Sequence, residues 1–368
     1  MDIGVPMEIK ANEGRVGLTL DSVAELSGRG HKVFIESGAG RGIQCADADY
    51  VRAGAKIVAS PEEVFARGQM VVKVKEPQPS EYSLLRRGQI LFTYLHLAAN
   101  PILAKEPMRS GATAVAYETV TSQGHTLPLL TPMSEVAGRL SVQAGAQALE
   151  REHGGAGVLL GGVPGVQPAR IVIIDGGVVG TNASEIALGM RAEVVVLDKS
   201  LPRLRQLDEM FGGHATLVHA NSQTVERYVV DADLVIGAVL IPGACTPKLV
   251  DADLVKRMKS GAALVDVAID QGGCFATSRP TTHADPTYVK DEVVHYCVAN
   301  MPGAVAKTST YALNNATLPY VLNIADQGLD ELLNNDLHLR NGLNLQNGRI
   351  VQPQVAQALG FTSTKVAA

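Results

Sequence analysis

Arg15, Lys75, His96 and Asp270 could each do chemistry from where they fall in the chain. A guanidinium such as that of Arg15 offers a planar fork that matches a carboxylate. Lys75 ends the Val-rich run Met70–Lys75, His96 follows the apolar run Ile90–Leu95, and Asp270 follows Ala263–Val267. Read as strands, these runs put three of the four side chains at carboxyl ends, where open α/β sheets gather ligands. Imidazole titrates near neutrality and can pass protons. Each residue also has a plainer reading. Arg15 could form a surface ion pair, Lys75 a solvated strand end, His96 a structural ring, and Asp270 a turn or N-cap acid. Residue type and place alone leave both readings open.

A second constellation surrounds a glycine turn. Ile171–Ile174 reads as a buried strand running into Asp175-Gly176-Gly177-Val178-Val179-Gly180. A helix pattern follows, with Val179, Ala183, Ile186, Ala187 and Met190 on one side, and the next strand pattern ends in Leu197-Asp198. Strand, glycine turn, helix and strand-end acid make a dinucleotide-binding pattern. Gly177 would let backbone N–H groups approach a pyrophosphate, and Gly180 would let the helix pack close to its strand. The phosphates would sit at the helix N-terminus, where unpaired N–H groups favour anions. Asp198 would accept hydrogen bonds from the ribose hydroxyls and repel a 2′-phosphate, which favours NAD over NADP. The plainer reading is a glycine turn in some other α/β fold. One position departs from the pattern, because Asp175 stands where the first glycine belongs. An anion there costs about 1–4 kcal/mol per ~4 Å charge contact, depending on effective dielectric. Its carboxylate either faces the pyrophosphate and weakens binding, which is the favoured outcome, or turns away and bonds backbone N–H groups.

These residues need two sets of alternating elements. Ile3–Met7, Lys32–Glu36, Lys56–Ala59, Met70–Lys75, Gln89–Leu95 and Thr113–Tyr117 read as strands of a first domain. Thr19–Arg29 reads as a helix capped by Thr19. A long helix from Ser134 to about Glu152 follows a proline-marked turn, and the glycine-rich stretch 154–165 reads as a connection. Arg170–Ile174, Glu193–Leu197, Thr216–His219, Leu234–Ala238, Ala263–Val267 and Val293–Val298 read as six strands of a second domain. Thr308–Asp326 reads as another helix, and the remaining residues pack back on the first domain. The expectation is an α/β protein of two doubly wound Rossmann-like domains, the first discontinuous, with an interdomain active-site cleft. The substrate domain is expected at 1–127 plus 306–368, and the NAD-binding domain at 128–305.

Composition narrows the partners. Of 368 residues, 46% are hydrophobic and 19% charged, which suits packed cores. A net charge of −5, only 4% aromatics and no Trp argue against nucleic acid. No basic, then apolar, leader opens the sequence, and no stretch of ~18 uncharged apolar residues occurs, so neither export nor a membrane span is expected. Cys45, Cys245, Cys274 and Cys297 match no metal-binding spacing. A reduced, cytoplasmic protein fits.

Several motifs together resemble those of the L-alanine dehydrogenases. They are Met7-Glu8-Ile9-Lys10 with Glu13-Gly14-Arg15, Val72-Lys73-Val74-Lys75-Glu76-Pro77, and Phe92-Thr93-Tyr94-Leu95-His96-Leu97-Ala98. Thr131-Pro132-Met133-Ser134-Glu135-Val136-Ala137-Gly138, the run 237–243, Val267-Ala268-Ile269-Asp270-Gln271-Gly272-Gly273-Cys274, Val298-Ala299-Asn300-Met301-Pro302-Gly303 and the run 308–313 continue the resemblance in order. The alpha subunit of proton-translocating transhydrogenase resembles this family in both domains and is the nearest competitor; a non-catalytic NAD-binding homologue is a further alternative. The continuous His96 and Asp270 motifs favour the amino-acid dehydrogenase.

The resemblance implies NAD-dependent conversion of L-alanine and water to pyruvate and ammonia. It implies His96 and Asp270 as catalytic residues, with Arg15, Lys75 and Asn300 binding substrate. It implies cofactor contacts at Ser134, Gly177, Val178, Val179, Gly180, Asp198, Arg203, Val239, Leu240, Val267, Ala268, Ile269, Asp270, Arg279, Val298, Ala299, Asn300 and Met301. The apolar members of that set could equally be core or loop packing. The resemblance further implies a homo-oligomer, usually a hexamer. Two departures stand out. Ala220 replaces a frequent serine near the adenosine, and Asn323 and Gln327 replace a magnesium-binding glutamate and histidine, so no metal is expected there.

Overall fold

The computed structural model describes residues 1–97, 108–239 and 246–360. The chain divides into two compact units, Met1–Met133 with Gly303–Ala368, and Ser134–Pro302. Six strands come first: β1 (Asp2–Val5), β2 (Lys32–Glu36), β3 (Lys56–Val58), β4 (Met70–Val72), β5 (Ile90–Thr93) and β6 (Thr113–Ala116). Seven follow: β7 (Arg170–Ile174), β8 (Glu193–Asp198), β9 (Thr216–His219), β10 (Leu234–Gly237), β11 (Ala263–Asp266), β12 (Thr287–Lys290) and β13 (Val293–Tyr296). The last two are β14 (Leu343–Gln346) and β15 (Arg349–Ile350).

The first unit's sheet runs β15-β14-β6-β5-β4-β1-β2-β3, and the second's runs β12-β13-β11-β10-β7-β8-β9. Each contains six parallel strands in the order of a doubly wound sheet. Strand order reverses between β1 and β4 in one sheet and between β7 and β10 in the other. Strands covered on both faces need side chains apolar all round, and the Met-Val-Val of β4 and the Leu-Val-Ile-Gly of β10 are wholly buried. Antiparallel strands extend the edges: β12 pairs with β13, β14 with β6, and β15 with β14.

Several strands stop earlier than their apolar patterns, and for β4 and β5 the reason is shared. The Glu8 carboxylate accepts from Val74 N at 2.6 Å, so β4 ends at Val72 although the pattern reaches Lys75. The Glu118 carboxylate accepts from Leu95 N and His96 N at 3.2 and 2.6 Å, so β5 ends at Thr93. A buried side chain has replaced the neighbouring strand as acceptor.

The helix Leu20–Gly28 begins where Thr19 accepts from Ser22 N at 3.3 Å. Thr131–Ala148 starts before and ends short of the expected helix, and Ala306–Gln327 starts two residues before Thr308. That last helix anchors the segment carrying Arg15. Asn314 Nδ2 donates to Gly17 O at 2.7 Å, and its Oδ1 accepts from Thr19 N at 2.9 Å. Cys45, Cys274 and Cys297 are buried free thiols. No helix among the described residues is long and apolar enough to cross a membrane.

Candidate active site

In the first unit, polar residues gather where β4, β5 and β6 end and where the chain leaves β1. Arg15 is not the exposed residue of its plainer reading, for it is 2% exposed. Its Nε donates to Glu13 Oε1 at 2.6 Å, its Nη2 to Glu13 Oε2 at 2.5 Å, and its Nη1 to Met133 Sδ at 3.0 Å. This two-point pairing fixes the guanidinium plane. Lys75 is buried too, with its carbonyl accepting from Thr93 Oγ1 at 2.9 Å.

Lys73 is wholly buried, 2.8 Å from Glu81 and 3.5 Å from Glu8. Burial works against its ammonium, but the two carboxylates outweigh that and raise its pKa. Burial likewise pushes the Glu8 carboxyl up, with Lys73 and the Val74 N–H opposing.

His96 leaves β5 with φ +49, a left-handed conformation uncommon outside glycine. The Glu118 carboxylate secures that backbone through the His96 N–H, and the ring stacks on Tyr94 at 5.7 Å between centroids and 6° between planes. Tyr94 is fastened by its hydroxyl, which donates to Leu129 O at 2.5 Å. Desolvation, then the positive charges of Lys75, Lys10 and Arg15, holds the imidazole below its ordinary range. The residue is exposed, which moderates both the desolvation and, through solvent screening, the push of the three cations. The ring is therefore neutral at physiological pH, the state in which it accepts a proton.

Glu118, Glu8, Glu13 and Tyr94 escaped the sequence reading as functional residues. Their one signal was position, polar groups inside or beside apolar strand runs. Their partners lie far along the chain or need a turn that spacing does not reveal.

In the second unit most of the candidates follow the carboxyl ends of five parallel strands. After β7, Gly177 is the N-cap of the helix Val178–Gly189 and brings no side chain to cap it. Val178 is exposed, while Val179 and Gly180 are buried. A Cβ on Gly180 would fall 1.9 Å from the Asp175 carbonyl oxygen. Gly180→Ala should therefore cost about 3 kcal/mol, the upper end for overpacking. Thermal unfolding checks this, and an unchanged melting temperature would mean that the turn relaxes freely.

Asp198 ends β8. Its Oδ2 accepts from Gly176 N at 2.8 Å and its Oδ1 from Ser200 N at 2.7 Å. Both oxygens keep a second lone pair for other donors. Arg203 donates from Nε to Gly176 O at 2.7 Å and from Nη2 to Thr181 Oγ1 at 2.6 Å, so it braces the turn. Ala220 is buried and offers only its N–H, to Asp198 O at 2.9 Å. Ser134 lies in the first turn of Thr131–Ala148, four residues before Gly138 and so on the same face. A Cβ on Gly138 would come 2.3 Å from Val179 O, which brings that face against the start of Val178–Gly189.

Val239 follows β10, and Leu240 lies outside the described residues. Beyond β11, Val267, Ala268 and Ile269 lead to Asp270, which is exposed in the turn Ile269–Gln271. Beyond β13 come Val298, Ala299, Asn300 at φ +64, and buried Met301. His283 Nε2 lies 3.1 Å from Asn300 O. Arg279 lies over the Tyr288 ring at 4.1 Å. Asn323 and Gln327 are exposed on the helix Ala306–Gln327. Among the described residues no group of three His, Cys, Asp or Glu side chains is arranged to hold a metal.

Similarity to known proteins runs through both units. Residues 4–137 match the family model for the alanine dehydrogenase/PNT N-terminal domain, and residues 141–353 match that for the C-terminal domain. An alanine dehydrogenase of Halomonas elongata is 54% identical over 367 residues, covering 100% of this chain and 99% of the relative. One from Bacillus subtilis is 54% identical over 362 residues, covering 98% and 95%. A solved L-alanine dehydrogenase structure superposes with a TM-score of 0.94 at 55% identity, covering 98% of this chain and 99% of that one. A transhydrogenase structure from Sinorhizobium meliloti gives 0.84 at 22% identity, covering 95% and 100%, which shows a shared fold alone.

Proposed function

Because this chain belongs to the alanine dehydrogenase/PNT family, we propose that it catalyses the reversible, NAD-dependent oxidative deamination of L-alanine to pyruvate and ammonia. The observation that carries this reading is the end-to-end similarity to alanine dehydrogenases, at 54% identity over 367 residues for one of them. Both compact units that the chemistry needs are inside the matched span.

The second unit fits a dinucleotide. A bare glycine N-cap opens a helix long enough to favour an anion. Gly177, Val178, Val179 and Gly180 would hold the pyrophosphate, with Ser134 beside it. Asp198 would take the adenosine ribose and Arg203 would keep the turn in shape. Val239, Leu240, Val267 to Asp270, Arg279 and Val298 to Met301 would line the remainder. NAD, when bound, supplies the acceptor for the hydride that leaves the substrate Cα.

The first unit supplies the substrate chemistry. Arg15 and Lys75 hold the alanine carboxylate by charge-assisted hydrogen bonds. The neutral His96 ring takes a proton from the water that adds to the imine carbon. It returns a proton to the amine as the carbinolamine collapses to pyruvate and ammonia. Asp270 orients that water, and Asn300 contacts the substrate. The assembly is proposed to be a homo-oligomer, hexameric on family resemblance, in the cytoplasm.

The test is NADH formation with a panel of L-amino acids at alkaline pH. Steady turnover with alanine is expected. Turnover with another amino acid but not with alanine would overturn the substrate, and dinucleotide binding without turnover would leave a non-catalytic homologue.

A further inference from the structure

We propose that Asp175 is an internal competitor for the dinucleotide pyrophosphate, an anion built into the glycine turn that the bound cofactor must displace or neutralise. This inference rests on the reading of the turn as the cofactor site. Asp175 occupies the first position of the fingerprint, where the pattern has glycine, and it adopts φ +85, a conformation that L side chains rarely take. Holding a non-glycine residue there strains the backbone, so the side chain has to be secured by its surroundings.

Its anchor is the turn itself. Asp175 Oδ2 accepts from Gly177 N at 3.0 Å, so a donor at the phosphate-binding position is already serving an anion. The same oxygen lies 2.7 Å from where a Cβ on Gly177 would sit, on the side that glycine leaves open. The charged groups acting on Asp175 are few. Asp198, at the end of β8, repels it while accepting from Gly176 N. Arg203, on the helix Leu201–Phe211, attracts it, but that guanidinium is also committed to Gly176 O and Thr181 Oγ1. The other neighbouring strand, β10, ends in Gly237, is followed by Ala238, and brings no charge.

Burial first, and then Asp198, raises the Asp175 carboxyl to about 6, against the opposing Gly177 N–H and Arg203. The sign follows. Above that pH the side chain is anionic and opposes the pyrophosphate; below it the side chain is neutral and the opposition is gone. A bound pyrophosphate stabilises the neutral form further, so affinity should fall as pH rises through about 6.

Titrating NADH into the wild-type protein, Asp175→Asn and Asp175→Gly from about pH 5 to about pH 8 decides the matter. Asn keeps the acceptor and tolerates the left-handed backbone, whereas Gly removes side chain and strain together. Both variants should bind NADH about tenfold more tightly than wild type at the upper pH, equivalent to 1.4 kcal/mol. Their affinity should change less with pH than the wild type's. ADP-ribose should reproduce the gain, and adenosine, which lacks phosphate, should not. Equal NADH affinity of all three proteins at the upper pH, with parallel pH profiles, would overturn the proposal and leave Asp175 as a turn anchor. Failure of all three to bind NADH would instead overturn the cofactor reading, and this inference with it.

Discussion

Replacing His96 with alanine is expected to lower turnover of L-alanine by about 10²–10⁴-fold, with NADH affinity nearly unchanged. The two halves of this result come from different parts of the chain. The ring belongs to the first unit, where stacking on Tyr94 sets its plane and the Glu118 carboxylate holds its backbone at φ +49. The dinucleotide contacts are proposed for the second unit. The fall should appear mainly in kcat, because the carboxylate grip proposed for Arg15 and Lys75 is left in place. Steady-state kinetics beside NADH titration separates the effects. Turnover within a few-fold of wild type would take His96 out of the mechanism.

Lys73→Met should destabilise the first unit by about 3–5 kcal/mol, the cost of breaking a buried ion pair from one side. Methionine fills much of the volume but leaves Glu81 and Glu8 facing each other without the ammonium that lay 2.8 and 3.5 Å from them. At about 2–4 °C per kcal/mol for a unit of this size, the first unit's melting temperature should drop by roughly 6–20 °C. Adding Glu81→Gln should recover part of the loss by removing one stranded charge. A melting temperature within about 2 °C of wild type would mean that the carboxylates protonate and pair with each other instead.

The parallel frame was legible because strand and helix periods alternate and the buried strands are mostly apolar and rich in Val, Ile and Leu. The antiparallel strands β12, β14 and β15 were not read, for two different reasons. Between β14 and β15 the two-residue turn is Asn347-Gly348, both at positive φ, a strong hairpin signal, but one set between strands only two to four residues long. Between β12 and β13 the turn is Asp291-Glu292, also both at positive φ, and nothing in that dipeptide advertises a hairpin. Candidate positions could be placed at strand ends because apolar runs locate the carboxyl rim. Their surroundings could not. That Arg15 is paired inward with Glu13, that Glu118 holds His96, and that the Asp175 carboxylate meets Gly177 N all depend on how a turn closes, which residue spacing does not encode.

The split of the first unit along the chain sets a timetable for its birth on the ribosome. Residues 134–302 emerge between its two parts. At about 5–20 residues per second, their synthesis takes roughly 8–34 s. Through that interval β6 is an open edge, because β14, its antiparallel neighbour, has not been made. The Arg15 segment also waits for Asn314 to fasten Gly17 and Thr19. The second unit is continuous and can fold as soon as it is released. An unpaired edge invites pairing with other chains, so the nascent chain is most exposed to chaperones and to aggregation while its first sheet is built but unfinished.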